Sequence, residues 1–361
     1  MKRAYNFCAG PAAMPTDVLE KAQQELLDWN GLGCSVMEFG HRTPDFQQMI
    51  DKAEADFRKL LNIPDHYRVL FMHGSASHQF AMVPMNFLTA HDTANYLEQA
   101  HWSKKAINEA KRFANIHVQS AFMQTEQGLS IVPESQWQLD ERGKYLHFTS
   151  NETIVGVQFH KEPEAFAGML ISDMCSDILS RPIDIEKYAL IYAGAQKNIG
   201  PSGMTMVIVR EDLFEQMHRD RVPTLFQYPL MSEHQSMYNT PPSFSVYLAG
   251  LVFEWLLDKG GINAMQQQNE AKAKLLYDYI DSSDFYQSPV ATDSRSVMNV
   301  AFTLQDPSLD NLFLEQSKAQ GLIALKGHRD FGGMRASIYN AMPIEGVKAL
   351  LSFMKEFERN L

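Results

Sequence analysis

The sequence predicts an α/β protein, with a large, mostly parallel sheet domain followed by a smaller α+β domain. Three observations carry that expectation. From about residue 67, short apolar runs alternate with Gly/Ser/Asn-rich turns and amphipathic helices, as in strand–helix units of a parallel sheet. At 361 residues and 45% hydrophobic content, the chain exceeds the ~250–300 residues at which a single core stops growing. After about residue 255 the texture changes to longer helices separated by isolated strands.

In chain order, Arg68–Met72 reads as a strand, Gly74–Ser77 as a turn, and His78–Leu88 as a helix containing Pro84. Ala94–Leu97 is the next strand, after which Ser103 is expected to cap a helix running to Phe113. Tyr145–Thr149, Met169–Ser172, Tyr188–Ala193 and Thr205–Val209 are further strands. The second domain opens with a helix over Ile262–Ile280. A strand over Val297–Leu304, a helix near Leu309–Ala319, a strand over Arg335–Tyr339 and a closing helix follow.

Composition narrows the function. A net charge of -11 without a long Lys/Arg run argues against nucleic acid. No stretch reaches the ~18–20 apolar residues of a membrane span. Met1–Phe7 lacks the apolar run of a secretory signal, so cytoplasmic residence is expected. Cys8, Cys34 and Cys175 have neither the even count of a disulfide framework nor the spacing of a zinc site. No metal is expected.

Ligands of open α/β sheets sit beyond the carboxyl ends of the strands. Three such turns carry chemistry. His73-Gly74-Ser75-Ala76-Ser77-His78 enters a helix, where free N–H groups favour an anion such as phosphate. Ser172-Asp173-Met174-Cys175-Ser176-Asp177 sets a carboxylate, Asp173, just past an apolar strand, where it could pair with a protonated ring nitrogen; a helix or turn cap, which Asp173 or Asp177 could equally be, is the alternative. Lys197, in Gln196-Lys197-Asn198 after the run from Tyr188 to Ala193, is placed to form a Schiff base, although most lysines after strands are solvated. Asp173 and Lys197 are 24 residues apart, about one strand–helix–strand crossover. Lysine, aspartate and anion cradle together are what pyridoxal 5′-phosphate needs. Trp102 could stack on its ring or simply pack at a helix start, and Thr153 offers a hydroxyl at another strand end.

Further motifs identify a resemblance. Asn6-Phe7 with Gly10-Pro11, His41-Arg42, Trp102-Ser103, Asn151-Glu152-Thr153, Ser176-Asp177-Ile178, Tyr238-Asn239-Thr240-Pro241-Pro242, Gly327-His328-Arg329 and Gly332-Gly333-Met334-Arg335 resemble the phosphoserine aminotransferase family over the full length. The resemblance implies PLP-dependent transferase fold type I. Residues 16–256 would form the large domain around a mostly parallel seven-stranded sheet, and 1–15 with 257–361 the small one. Lys197 would hold the cofactor covalently, Asp173 its ring nitrogen, Trp102 its face and Thr153 its ring hydroxyl. Ala76, Ser77 and Gln196 would hold its phosphate together with Asn239 and Thr240 from a second copy, so a homodimer with shared sites is implied. Arg335 would take the substrate α-carboxylate. His328 and Arg329, with His41 and Arg42 of the neighbouring chain, would take the phosphate or the glutamate side chain.

The implied reaction passes the amino group of glutamate to 3-phosphohydroxypyruvate, as in serine biosynthesis. An acceptor of the pyridoxine route, another oxo-acid, or a PLP-binding dimer without turnover are the alternatives. Ser75, His78, Ala100-His101, Cys175 and Asp330-Phe331 depart from the family pattern. Asp330 is the most consequential, since an acid beside Arg329 would either weaken an anion there or point to solvent.

Overall fold

Seven apolar or alternating runs form one sheet: β1 (Tyr67–His73), β2 (Thr93–Glu98), β3 (Asn115–Ser120), β4 (Tyr145–Thr149), β5 (Met169–Asp173), β6 (Leu190–Gly194) and β7 (Met204–Arg210). The structure, a computed structural model, describes residues 3–361. Met1 and Lys2, which open the segment compared with a secretory signal, lie outside the described residues. The strand order is β1-β7-β6-β5-β4-β2-β3. Only β7 runs antiparallel to its neighbours.

The sheet is the mostly parallel, seven-stranded one the resemblance implies. Its central strands β4 and β6 are buried at every residue, which explains their near-continuous apolar sequences. The sequence pattern does not reveal β3, because this edge strand reads Asn-Ile-His-Val-Gln-Ser and is only partly buried.

Helices α1 (Pro44–Leu61), α2 (Ala76–Phe87), α3 (His101–Ala110) and α4 (Ser243–Asp258) cover the sheet. Helix α1 starts on Pro44 behind the Thr43 cap and ends on Asn62 at φ 51°. Its buried Phe46, Ile50, Ala53 and Phe57 follow helical spacing, and Phe57 packs on Phe253 of α4 with ring centroids 5.0 Å apart. Ser103 is not the cap of α3. The helix begins at His101, and from inside it the Ser103 Oγ accepts the N–H groups of Gln99 and Ala100 at 2.8 and 3.0 Å.

The crossover from β5 to β6 also departs from expectation, since it contains no α-helix. Leu179 sits at φ 62° and Pro182 follows, so the segment turns through buried Ser176, Asp177 and Ser180 instead.

The C-terminal part comprises α5 (Gly261–Ser282), β8 (Tyr286–Gln287), β9 (Asn299–Leu304), α6 (Asp310–Ala319), β10 (Met334–Ser337) and α7 (Ile344–Arg359). Its antiparallel sheet has the order β8-β9-β10. Phe302, Phe313, Phe353 and Phe357 form its core, which also buries Phe7 from the other end of the chain. Tyr5–Asn6 pairs in parallel with Leu322–Ile323.

Lys272 of α5 is fully buried, and its Nζ donates to the carbonyls of Ile338, Tyr339 and Met342 at 2.7, 2.7 and 3.1 Å, while burial lowers its pKa to about 7. It thereby fastens the chain between β10 and α7. Lys272→Met should lower unfolding free energy by about 3 kcal/mol, because three buried carbonyl acceptors lose their donor. Urea denaturation checks this, and an unchanged midpoint would contradict the clamp.

All three cysteines are free. No helix among the described residues is long and apolar enough to cross a membrane.

Candidate active site

The carboxyl ends of β4, β5 and β6 open into a cavity of about 130 Å³. Ser75, Ala76, Ser77, Trp102, Thr153, Asp173, Gln196 and Lys197 all line it, so eight residues from five separate segments converge. Asp173 ends β5 and Lys197 follows β6, and these two strands are hydrogen-bonded neighbours. The Lys197 ammonium donates to Thr153 Oγ1 at 2.6 Å. That contact joins the β6 turn to the turn after β4.

Asp173 and Asp177 have different employment. The Asp177 carboxylate accepts from Ser150 Oγ and, at 3.1 Å, from Gln158 Nε2, and lies 3.9 Å from Arg181. Asp177 therefore ties buried turns together. Asp173 is 4% exposed and receives the Cys175 N–H at 2.9 Å on Oδ1, with no ion pair to any described residue. Burial raises its pKa, against the opposing pull of nearby Lys197. A buried carboxylate facing a cavity suits a cationic group, such as a protonated ring nitrogen.

The anion cradle depends on Gly74, whose φ of 98° turns the chain from β1 into α2. A Cβ there would come within 2.4 Å of His78 Nδ1. The same Nδ1 accepts the Ser75 N–H at 3.1 Å, so two departures from the family pattern form one local lock. Ala76 and Ser77 occupy the first turn of α2, where backbone N–H groups lack intrahelical acceptors and favour an anion. Cys175 is likewise accommodated: its Sγ accepts the Gly194 N–H at 3.0 Å.

Arg335 lies on β10 and lines a neighbouring cavity with Ile154 and Val155. Its Nη1 is 3.4 Å from the Thr153 carbonyl, while its buried Nε has no partner. Desolvation lowers its pKa, so the guanidinium is held where an anion would relieve it.

His328, Arg329 and Asp330 belong to a tight loop. A Cβ on Gly327 would approach the Gly332 carbonyl to 2.0 Å, so glycine is needed for the two strands of the loop to meet. Asp330 is exposed and faces the basic groups: Oδ2 is 3.4 Å from His328 Nδ1 and 3.8 Å from His101 Nδ1, and Oδ1 is 3.5 Å from Arg329 Nε. Arg329 itself is exposed. His41, Arg42, Asn239 and Thr240 do not line the Lys197 cavity of this chain. These four are the residues the resemblance assigns to the site of a second copy. His41 Nε2 and Asn239 Oδ1 are buried without a partner.

Glu152, the middle residue of Asn151-Glu152-Thr153, is a further residue of the site, with no signal in the sequence beyond that motif. This carboxyl is wholly buried and accepts the Trp102 backbone N–H at 3.3 Å, joining the start of α3 to the Thr153 turn. Burial pushes its pKa up to about 7, and Lys197 pulls in the other direction.

The folded protein therefore keeps a proton that the unfolded chain releases above its ordinary carboxyl pKa of 4.5. The associated stability is complete below that pH and is lost as pH rises through 7, by about 3 kcal/mol. Glu152→Gln, measured by urea unfolding without cofactor, should gain on wild type by that order between pH 5 and pH 8. Parallel pH responses would contradict the assignment.

Three comparisons place this arrangement among known proteins. The family model described as "Aminotransferase class-V" matches residues 4–350. The phosphoserine aminotransferase of Acinetobacter baylyi is 54% identical over 355 residues, covering 98% of each chain. Among solved structures, phosphoserine aminotransferase from Bacillus circulans subsp. alkalophilus superposes with a TM-score of 0.95 at 46% identity, covering 100% of this chain and 99% of that one. The PLP-bound enzyme from Trichomonas vaginalis gives 0.92 at 39% identity, covering 98% of this chain and 100% of that one. The strand-end cavity and the inward-facing Arg335 thus occur in a chain that belongs to the class-V aminotransferases and, within them, to the phosphoserine aminotransferase family.

Proposed function

We propose that the chain catalyses transamination between glutamate and 3-phosphohydroxypyruvate, giving 2-oxoglutarate and O-phospho-L-serine, with pyridoxal 5′-phosphate in the Lys197 cavity. The observation that carries this reading is the meeting of Lys197, Asp173, Thr153 and Trp102 in one cavity beside the half-buried guanidinium of Arg335. When bound, the cofactor supplies an electron sink and an amino-group carrier.

Asp173 offers its buried carboxylate to the ring nitrogen, and Trp102 its indole to the ring face. Thr153 holds the ring hydroxyl, while the Ala76 and Ser77 N–H groups and Gln196 hold the phosphate. Asn239 and Thr240 would complete that cradle from a second copy, making the working unit a homodimer. Residues 16–256 serve as the cofactor-binding domain, and 1–15 with 257–361 as the substrate-closing one.

Arg335 binds the α-carboxylate of either substrate through its planar fork. His328 and Arg329, with His41 and Arg42 of the neighbouring copy, hold the distal anion. One pocket therefore accepts a side-chain carboxylate in one half-reaction and a phosphate ester in the other, and the two substrates bind in turn. Lys197 Nζ carries the proton removed from the substrate Cα and returns it in the reverse step.

The reading is tested by comparing 3-phosphohydroxypyruvate with its dephosphorylated counterpart as amino acceptor. A higher kcat/KM for the phosphorylated acceptor is expected; equal values would overturn the substrate assignment.

A further inference from the structure

His101, His328 and Asp330 meet where the start of α3 faces the loop from Gly327 to Gly333. Their nearest ligand-type atoms all lie within 4.8 Å of one another. Two of the three, His101 and Asp330, are positions where this chain departs from the family pattern. From this geometry we propose a divalent transition-metal site of zinc type, built from one nitrogen of each histidine and one Asp330 carboxylate oxygen.

The spacing suits such an ion. Zinc bound at ~2.0–2.2 Å by nitrogen and oxygen places tetrahedral ligand atoms about 3.3–3.5 Å apart. Asp330 Oδ2 stands 3.4 Å from His328 Nδ1 and 3.8 Å from His101 Nδ1. The imidazole rings lie with centroids 5.2 Å apart and planes inclined at 55°, leaving side-chain rotation to close the remaining gap. Two imidazoles and one carboxylate are borderline ligands that prefer zinc, nickel or copper to magnesium or calcium.

His328 Nδ1 accepts the Asp330 N–H at 3.3 Å, a bond that an ion ligated at that nitrogen would displace. Lys105 and Arg329 also oppose added positive charge, so affinity should fall below that of a buried structural zinc site. Three protein ligands leave a coordination position open to water or to an anion. An ion here would bridge the helix that carries Trp102 to the loop that carries His328.

Calorimetric titration of chelator-treated holoenzyme with Zn2+ tests the site. One equivalent per chain is expected, with His101→Ala and Asp330→Ser each weakening binding by at least about tenfold. Neither residue belongs to the proposed transamination machinery, so failure here leaves that reaction standing. No binding, or binding that survives both substitutions, would overturn the site. Co2+ added to the unaltered holoenzyme gives a reading that does not depend on variants folding. Nitrogen- and oxygen-ligated bands support the site, whereas a thiolate charge-transfer band would assign the ion to a cysteine and overturn it.

Discussion

Lys197→Ala should abolish transamination, lowering kcat by at least the ~10²–10⁴-fold that a positioned acid–base group contributes. The loss should exceed that range, because the same nitrogen is proposed to anchor the cofactor. The side chain makes one recorded hydrogen bond, to Thr153 Oγ1 at 2.6 Å, so its removal should leave the fold intact. A folded variant that binds cofactor reversibly without turning over is the expected product. Steady-state kinetics with glutamate check it, and turnover within tenfold of wild type would show that another group moves the proton.

Arg335→Ala should cost about 2–5 kcal/mol in kcat/KM, the scale for truncating one partner of a buried charge pair. The loss should appear in both half-reactions, since both substrates carry an α-carboxylate. Arg335→Lys should recover only part of it, because an ammonium cannot reproduce the two parallel N–H bonds of a guanidinium. The structure adds a corollary. The buried Nε lacks a partner and the Nη1 contact to the Thr153 carbonyl is long at 3.4 Å, so the free protein bears a half-buried, weakly compensated charge. Arg335→Met should therefore leave thermal stability equal or higher while binding falls. A large loss for only one substrate would instead assign Arg335 to the distal anion.

Much of this site was legible because it lies at strand ends, and buried strands announce themselves. The run from Tyr188 to Ala193 locates β6, which fixes where Lys197 emerges; the run before Asp173 does the same for β5. Which of Asp173 and Asp177 ties the turn together was not legible. Both follow the same strand, and only their partners separate them, with Gln158 and Ser150 far away in sequence claiming Asp177.

Glu152 and the Asp330 cluster were illegible for the same reason. Glu152 acquires its raised pKa from complete burial, and Asp330 faces His101, a residue on another part of the fold. The sequence shows Asp330 next to Arg329, yet its side chain also meets two histidines. Edge strand β3 escaped notice because polar alternation on a half-buried edge resembles a loop.

The central claim is that one cavity, anchored by Lys197, passes an amino group between a carboxylate substrate and a phosphorylated one. The absorbance of the holoenzyme tests it most directly. Glutamate alone should remove the aldehyde-form absorbance in step with release of 2-oxoglutarate, and 3-phosphohydroxypyruvate should then restore it in step with formation of O-phospho-L-serine. Absorbance unmoved by glutamate, or restored equally well by an unphosphorylated oxo-acid, would contradict the account.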